Sequence, residues 1–431
     1  MKLNQYTYMI RTYLSSLWKK GALYILCGSF LMKAAAFLGS IVLVRVLPKA
    51  EYGLLGYMEN LYTYAYLLAG LGLNNAVFRY VVLEDTMSGK KGVIDFVSKL
   101  GTIINLILMI SLCILSYYYP HSSSFSAASS LLPIMLLAIP LQFLFDTGTF
   151  SLRALFENRA YAIFAVLAAV GIWGSKALGS SVAGLTGAVY SWPITYAVMA
   201  VLVMLYLKVN VFISTTGTTP SDDQKSKMLF FSIQYMLTNG LWVMFLQNDL
   251  LLIGALSGSP IEVASYKVAY AIPAAMSILS NSIGTFVAPY FVKNESNKIW
   301  VWKNYLMVLF ASVLGIGLLS LLLFILCKPV VLFLYGEQYI DSIIVMRILL
   351  IASFLSNAVR YTAANLLAAM GYVRVNLAVS ALGIVLQVVL DFCLIPKLGM
   401  LGAAICSVTV YFIMSLIITV YFIKKFHTDL S

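Results

Sequence analysis

Charge is scarce in this sequence. Of 431 residues only 10% are Asp, Glu, Lys or Arg, while 61% are hydrophobic and mean hydropathy is +0.93. A soluble domain carries about 25% charged residues, so a water-facing surface cannot be assembled from this composition and most of the surface must face lipid. Histidine is scarcer still, with only His121 and His427. No HExxH, GxSxG or GxxxxGK(S/T) motif occurs, which excludes those routes to metal-assisted hydrolysis, serine acyl transfer and nucleotide hydrolysis. The five cysteines (Cys27, Cys113, Cys327, Cys393, Cys406) lie in apolar runs without a pairing pattern and read as small hydrophobes. No catalytic residue, metal cluster or cofactor motif is assigned, and the chain does not read as an enzyme.

What remains is a series of long apolar runs. A span needs roughly 20 apolar residues, and at about 35 residues per helix plus loop the length fits twelve. Hydropathy places them near 21–47, 53–78, 100–119, 129–152, 160–178, 183–207, 228–256, 263–291, 304–327, 342–369, 375–395 and 400–423. Backbone polar groups in lipid must be satisfied within the segment, so the spans are helices and the fold is all-α. Pro133, Pro140, Pro193, Pro273 and Pro289 fall inside them and predict kinks.

The net charge of +12 follows from topology. With the N-terminus inside, nineteen Lys and Arg fall in inside segments and five outside, the five being Arg45, Lys49, Lys176, Lys328 and Lys397. Cytoplasmic loops are enriched in Lys and Arg, so both termini are expected in the cytoplasm. The basic balance then reflects contact with anionic membrane lipids rather than nucleic acid. Lys2, Arg11, Lys19 and Lys20 precede an apolar run too long for a signal peptide, so the N-terminus is read as retained.

The polar segment 208–227 separates six spans from six and has the composition of a flexible cytoplasmic linker. The expected organisation is an N-terminal lobe at 1–207, the linker at 208–227 and a C-terminal lobe at 228–431. The halves resemble each other. Glu51-Tyr52-Gly53 is matched by Glu262-Val263-Ala264, 211 residues later; Gly184 to Ala188 by Gly399 to Ala403, 215 later; and the turn at Glu157-Asn158 by Gly371-Tyr372, 214 later. Three matches in one order at nearly one offset predict an internal duplication. Six-helix halves start in the same orientation, so the repeat is parallel and places a central cavity between two lobes.

Ionisable groups deep in a span are costly and usually face a cavity or a partner. The cations in spans are Lys33, Lys267, Arg347 and Arg360, and the acids include Asp146 and Asp249, with Asp391 near the end of the eleventh. One reading makes Lys33, Arg360, Lys267 and Arg347 the walls of a cationic cavity for an anionic headgroup such as a pyrophosphate, with Asp146 and Asp249 as coupling groups. The other makes them interhelical ion pairs that hold the bundle together. The aromatics, including Tyr62, Tyr64 and Tyr66, read mostly as belt or lipid-facing residues.

The run from 43 to 80 carries a resemblance. Leu47-Pro48, Glu51-Tyr52-Gly53, Leu71-Gly72-Leu73 and Arg79 resemble the opening of the polysaccharide exporters, the O-antigen and lipid-linked oligosaccharide flippases of the multidrug/oligosaccharidyl-lipid/polysaccharide exporter superfamily. Asp249, Glu262 and Tyr266, and the turn from Gly399 to Ala403, are similar as well. The resemblance implies a bacterial inner-membrane protein that moves an undecaprenyl-pyrophosphate-linked repeat unit to the periplasmic leaflet by alternating access, alongside polysaccharide polymerase and chain-length machinery. Two other readings stand beside it: a cation-coupled multidrug exporter of the same superfamily, and a membrane polysaccharide polymerase, which the short outer loops disfavour.

Overall fold

The computed structural model describes residues 22–118 and 123–426. Lys2, Arg11, Lys19, Lys20, His121 and His427 lie outside the described residues, and with them the part of the charge count and of the N-terminal reading that rests on them. The described regular structure is entirely helical: α1 Ala22–Val46, α2 Lys49–Leu67, α3 Leu73–Leu83, α4 Met87–Tyr118, α5 Ser126–Leu136, α6 Ala138–Ala154, α7 Asn158–Tyr206, α8 Asp222–Leu252, α9 Pro260–Ala275, α10 Ser277–Lys293, α11 Lys298–Ile325, α12 Cys327–Tyr335, α13 Ser342–Phe354, α14 Tyr361–Ala369, α15 Val373–Leu398 and α16 Met400–Phe426.

Nine stretches among the described residues are long and apolar enough to cross a membrane, and two more are bent pairs, α2 with α3 at 51° and the two parts of α8 at 46°. The twelfth is inside α7. Asn158–Val211 runs for 54 residues, which as a straight helix would measure about 80 Å against a hydrocarbon core of about 30 Å. It is a hairpin. Helical geometry breaks at Ala183 and at Gly184, whose φ of 58° and ψ of −141° suit only glycine. The two arms then run back along each other, with Ser175 Oγ 2.7 Å from Thr195 Oγ1. The backbones of Gly179 and Gly187 touch so closely that a Cβ on either would sit 2.4 Å or 1.9 Å from the other's carbonyl oxygen. The chain is therefore a multi-pass membrane protein of about twelve spans, six on either side of the polar segment.

Two compact units divide the chain, one ending at Met244 and the other running Phe245–Ser431. In the first, span two is interrupted between α2 and α3. Gly70, Leu71 and Gly72 have φ of 53°, 50° and 78°, a left-handed run that ends one helix and starts another. The freed Gly70 amide donates to Asn105 Oδ1 at 2.9 Å. Apolar lipid tails offer no hydrophobic drive to associate, so packing must come from close fit between helices. Here Phe143 fills that role, wedged where a Cβ on Gly70 or Gly101 would fall 2.2 Å or 2.0 Å from its ring. The polar segment is held rather than loose. Ser88 Oγ donates to the Thr216 carbonyl at 2.6 Å, the Thr218 amide to the Ser88 carbonyl at 3.1 Å, and Gln224 Nε2 to Glu84 Oε1 at 2.6 Å. The start of α8 accordingly packs with the first unit.

In the second unit Phe291, Val301, Tyr305, Leu366, Phe422 and Phe426 form a buried core, with Tyr305 and Phe422 stacked 3.9 Å apart. The duplicated motifs do the same work in each unit. Glu51 Oε2 accepts from the Leu185 amide at 2.8 Å, just after Gly184. Glu262 Oε2 accepts from the Met400 amide at 3.0 Å, just after Gly399, whose φ of 56° and ψ of −137° repeat those of Gly184. A carboxylate at a helix N-terminus takes up an amide that has no intrahelical acceptor, so each Glu closes the last hairpin of its own lobe.

Candidate functional site

Each unit holds a buried polar centre at matching positions. Lys176 lies eight residues before Gly184, and Asp391 eight before Gly399. Glu59 lies eight after Glu51, and Tyr270 eight after Glu262.

In the first unit Lys176 was expected among the outer charges. The structure instead buries it at 2% exposure, its Nζ 2.8 Å from Glu59 Oε1. The ammonium also lies 3.5 Å from the Trp192 ring centroid and 4.7 Å from that of Trp173. The charge is tolerated because a carboxylate and two π-faces replace its water. A second polar line runs beside it. Tyr62 and Tyr66, stacked on successive turns of α2, donate to Gln142 Oε1 at 2.8 Å and Asp146 Oδ2 at 2.5 Å, on successive turns of α6. These tyrosines therefore face the protein, not a lipid belt. Asp146 borders two cavities of about 350 and 250 Å³, one walled also by Met32 and Ala36 of α1 and the other by Asn74 and Asn239.

In the second unit the centre is acidic. The Asp249 carboxylate on α8 accepts from the Tyr266 hydroxyl on α9, the Gln387 amide on α15 and Ser407 Oγ on α16, the last at 2.8 Å. One turn along α15 from Gln387, Asp391 is fully buried and accepts from Asn248 Nδ2 at 3.2 Å. Asp391 Oδ1 and Gln387 Oε1 are buried acceptors with no hydrogen-bond donor in place among the described residues. Two close carboxylates in low dielectric repel each other unless a proton or a cation is shared between them. No group of three His, Cys, Asp or Glu that could hold a metal is found among the described residues. Neither Asp146 nor Asp249 pairs with a Lys or Arg among the described residues. Hydroxyl and amide donors supply their hydrogen bonds here.

The four cations expected in a cavity are placed differently from one another. Lys33 is exposed and makes no ion pair among the described residues. At 100° per residue it projects roughly 160° from the mean direction of the exposed apolar side chains of α1, which are Tyr24, Phe30, Leu31, Leu38, Val42 and Val46. It therefore does not point where the lipid-facing side chains point. Arg360 is buried in a π-helical turn at Leu355–Arg360, its charge beside Tyr411. Lys267 is half-buried on α9. Arg347 is taken up by packing, its guanidinium 5.3 Å from the Phe324 ring centroid.

Sequence comparison places the chain in a family. The family model described as polysaccharide biosynthesis protein matches residues 18–295, more than half of the chain. The chain belongs to this polysaccharide biosynthesis protein family. An uncharacterized membrane protein of Methanocaldococcus jannaschii is 25% identical over 439 residues, covering 94% of this chain and 84% of that one. Among solved structures, an inward-facing multidrug resistance MATE family transporter of the MOP superfamily aligns with a TM-score of 0.71 at 16% identity, covering 92% of this chain and 95% of that one. The lipid II flippase MurJ in an inward closed conformation aligns with the same TM-score at 14% identity, covering 93% and 87%. At such identities the likeness is one of fold.

For this member of the family, the sequence pointed to Asp249 and Tyr266 but not to their meeting through Gln387 and Ser407. Helical spacing alone offered a signal, since Gln387 and Asp391 are four apart and share a face of α15. The Lys176–Glu59 pair was missed because Lys176 lies close enough to a predicted boundary to count as a loop residue.

Proposed function

We propose that this chain is a flippase that moves a polyprenyl-pyrophosphate-linked oligosaccharide, of the undecaprenyl type used for O-antigen or a similar surface polysaccharide, from the inner to the outer leaflet of the cytoplasmic membrane. The observation that carries this reading is membership of a polysaccharide biosynthesis family by a chain with the fold shared by MurJ and MATE transporters. Both termini are cytoplasmic in this reading, and a polysaccharide polymerase with its chain-length machinery consumes the product. Translocation needs no covalent chemistry. It needs cationic groups to draw in the pyrophosphate and a titratable centre to couple the conformational cycle to an ion gradient.

Lys33 and Arg360 are the cations we assign to the headgroup, because charge placed in a span costs several kcal/mol unless it is used or compensated. Lys267 supports them, and Arg347, engaged with Phe324, does so least. Asp249 with Asp391 is the coupling centre we assign, exchanging a proton or a monovalent cation. Asp146, which faces cavities, is a second coupling candidate.

The test is surface polysaccharide assembly in cells lacking the native gene. Lys33→Ala and Arg360→Ala are expected to block it at near-normal protein abundance, and Lys33→Arg to retain part. Full export by both alanine variants would overturn the headgroup role. The MATE likeness favours a second reading, a cation-coupled drug exporter. That reading predicts raised drug tolerance on expression, and no accumulation of lipid-linked oligosaccharide when the gene is deleted.

A further inference from the structure

A cavity of about 1000 Å³ lies wholly inside the first unit, between α1, α3, α6, the start of α7 and α8. Its walls are apolar: Phe78, Val82, Leu83 and Phe156 are 39%, 43%, 64% and 73% exposed. Two arginines interrupt them, Arg79 near the end of α3 and Arg153 in the last turn of α6. The sequence counted both as ordinary inside charges. Their geometry is more specific than that of a loop residue seeking water. The Arg79 guanidinium lies 5.0 Å from the Phe231 ring centroid. The Arg153 guanidinium lies 5.1 Å from that of Phe78 and 5.9 Å from that of Tyr161. Neither forms an ion pair or a side-chain hydrogen bond among the described residues.

A guanidinium stacked on an aromatic face has its plane fixed, while its N–H edges still point outward. Those edges match phosphate oxygens bidentately. A cavity with two such forks set into apolar walls suits an amphiphile with a phosphate head and a hydrocarbon tail. A sugar nucleotide or inorganic phosphate would leave the apolar walls unused. The arginines sit at the end of the unit that carries Lys90, Lys91 and Arg159, the basic side that faces the cytoplasm by the distribution of charge.

From this we infer that the cavity is a loading site, in which Arg79 and Arg153 grip the phosphate head of a polyprenyl pyrophosphate from the inner leaflet while Phe78, Val82, Leu83 and Phe156 line its first isoprene units. The inference rests on the flippase reading and adds to it a place where the substrate is held before the in-span cations act on it. Ordinary anionic phospholipid has the same head chemistry, so selectivity for the isoprenoid is part of the proposal.

The experiment uses the full chain in phosphatidylcholine nanodiscs with undecaprenyl pyrophosphate as probe, free of sugar so that glycan contacts do not contribute. Arg79→Gln and Arg153→Gln are each expected to weaken binding about tenfold, the value of one charge-assisted hydrogen-bonded contact. The double variant should lose binding, and Arg79→Lys/Arg153→Lys should fall between. Val82→Trp fills the apolar wall without touching either charge. It should weaken the polyprenyl probe yet leave inorganic pyrophosphate binding unchanged, so it tests the site even if an arginine variant fails to fold. Wild-type affinity in the double Gln variant, or in Val82→Trp, would overturn the loading site and leave the flippase reading standing. Equal competition by phosphatidylglycerol would overturn the isoprenoid assignment. A wild-type protein that binds no polyprenyl pyrophosphate and exports no oligosaccharide would overturn the flippase reading, and the inference with it.

Discussion

The two units place opposite solutions at matched positions. Where the first has Lys176, the second has Asp391; where the first has Trp192 stacked on that lysine, the second has Ser407 donating to Asp249. The first centre carries its own cation, tethered to α7 and paired with Glu59. The second carries two acids that form no ion pair with a Lys or Arg among the described residues. A duplicated fold has thus kept one hairpin closure, by Glu51 and by Glu262, while its buried charges diverged. One centre pairs its cation with a carboxylate as folded, and the other is the one we propose to exchange an ion or a proton. In that reading structure and exchange are divided between the lobes, and the division can be tested.

The largest effect is expected where compensation is complete. Lys176→Met removes the ion pair with Glu59, and breaking a buried pair costs about 3–5 kcal/mol. Thermal unfolding in detergent should show a large drop and the membrane fraction a loss of protein. Lys176→Met with Glu59→Gln should recover most of both. A single variant as stable as wild type would remove the contrast between the lobes.

Asp249→Asn is expected to do the reverse. The amide oxygen still accepts from Tyr266 and Ser407, so abundance and melting temperature should stay close to wild type. Transport should fall about a hundredfold, equivalent to about 2.7 kcal/mol of lost coupling. Unchanged transport measured against an imposed ion gradient would remove the coupling role.

The hairpin closures offer a matched pair of intermediate size. Gly184→Ala and Gly399→Ala each force a side chain into a left-handed conformation, at about 1–3 kcal/mol. Gly399→Ala should be the worse of the two, because its Cβ would sit 2.4 Å from Glu262 Oε2, against 3.1 Å from Glu51 Oε2 for Gly184. Melting temperatures in the opposite order would show that the two closures are not equivalent.

The smallest effect tests whether the second helix of each lobe meets the fourth in the same way. Tyr62 bonds Gln142 in the first unit; 211 residues later, Ser353 Oγ donates to the Pro273 carbonyl at 2.9 Å. Tyr62→Phe and Ser353→Ala should each lower stability by about 1 kcal/mol, the net value of one hydrogen bond. Unequal losses would mean that the contact is not shared.

Much of this organisation was legible in the residues. Apolar run length gave twelve spans, and the repeated Glu and Gly signatures marked the turns that prove to be joined in each lobe. Gly184 was visible as half of a match, and only the structure shows it as the break that makes two spans of one 54-residue helix. The buried centres were less legible for a physical reason. A side chain in a span is stabilised by partners far along the chain, 117 residues away for Lys176 and 138 for the Asp249–Gln387 contact. No local pattern encodes such a meeting. The cavity arginines were hidden differently, since Arg79 and Arg153 sit where the positive-inside rule expects a cation whether or not it has a ligand. Hydropathy likewise could not see that residues 216–224 dock on α4 and the loop before it, because a polar composition reports solvation and not the specific hydrogen bonds to Ser88 and Glu84.

The Lys176–Glu59 bridge also bears on biogenesis. A lysine entering the hydrocarbon alone adds up to about 2.5–3.5 kcal/mol to the insertion of its helix. Glu59 is synthesised 117 residues earlier, so the second span is already in the bilayer when the α7 hairpin leaves the ribosome. That hairpin arrives as two arms locked at Gly179 and Gly187, with a charge on one arm that becomes stable in the membrane only against the waiting carboxylate. The bridge thereby ties the insertion of the hairpin to the presence of the second span: without Glu59 the lysine would enter the hydrocarbon at that cost.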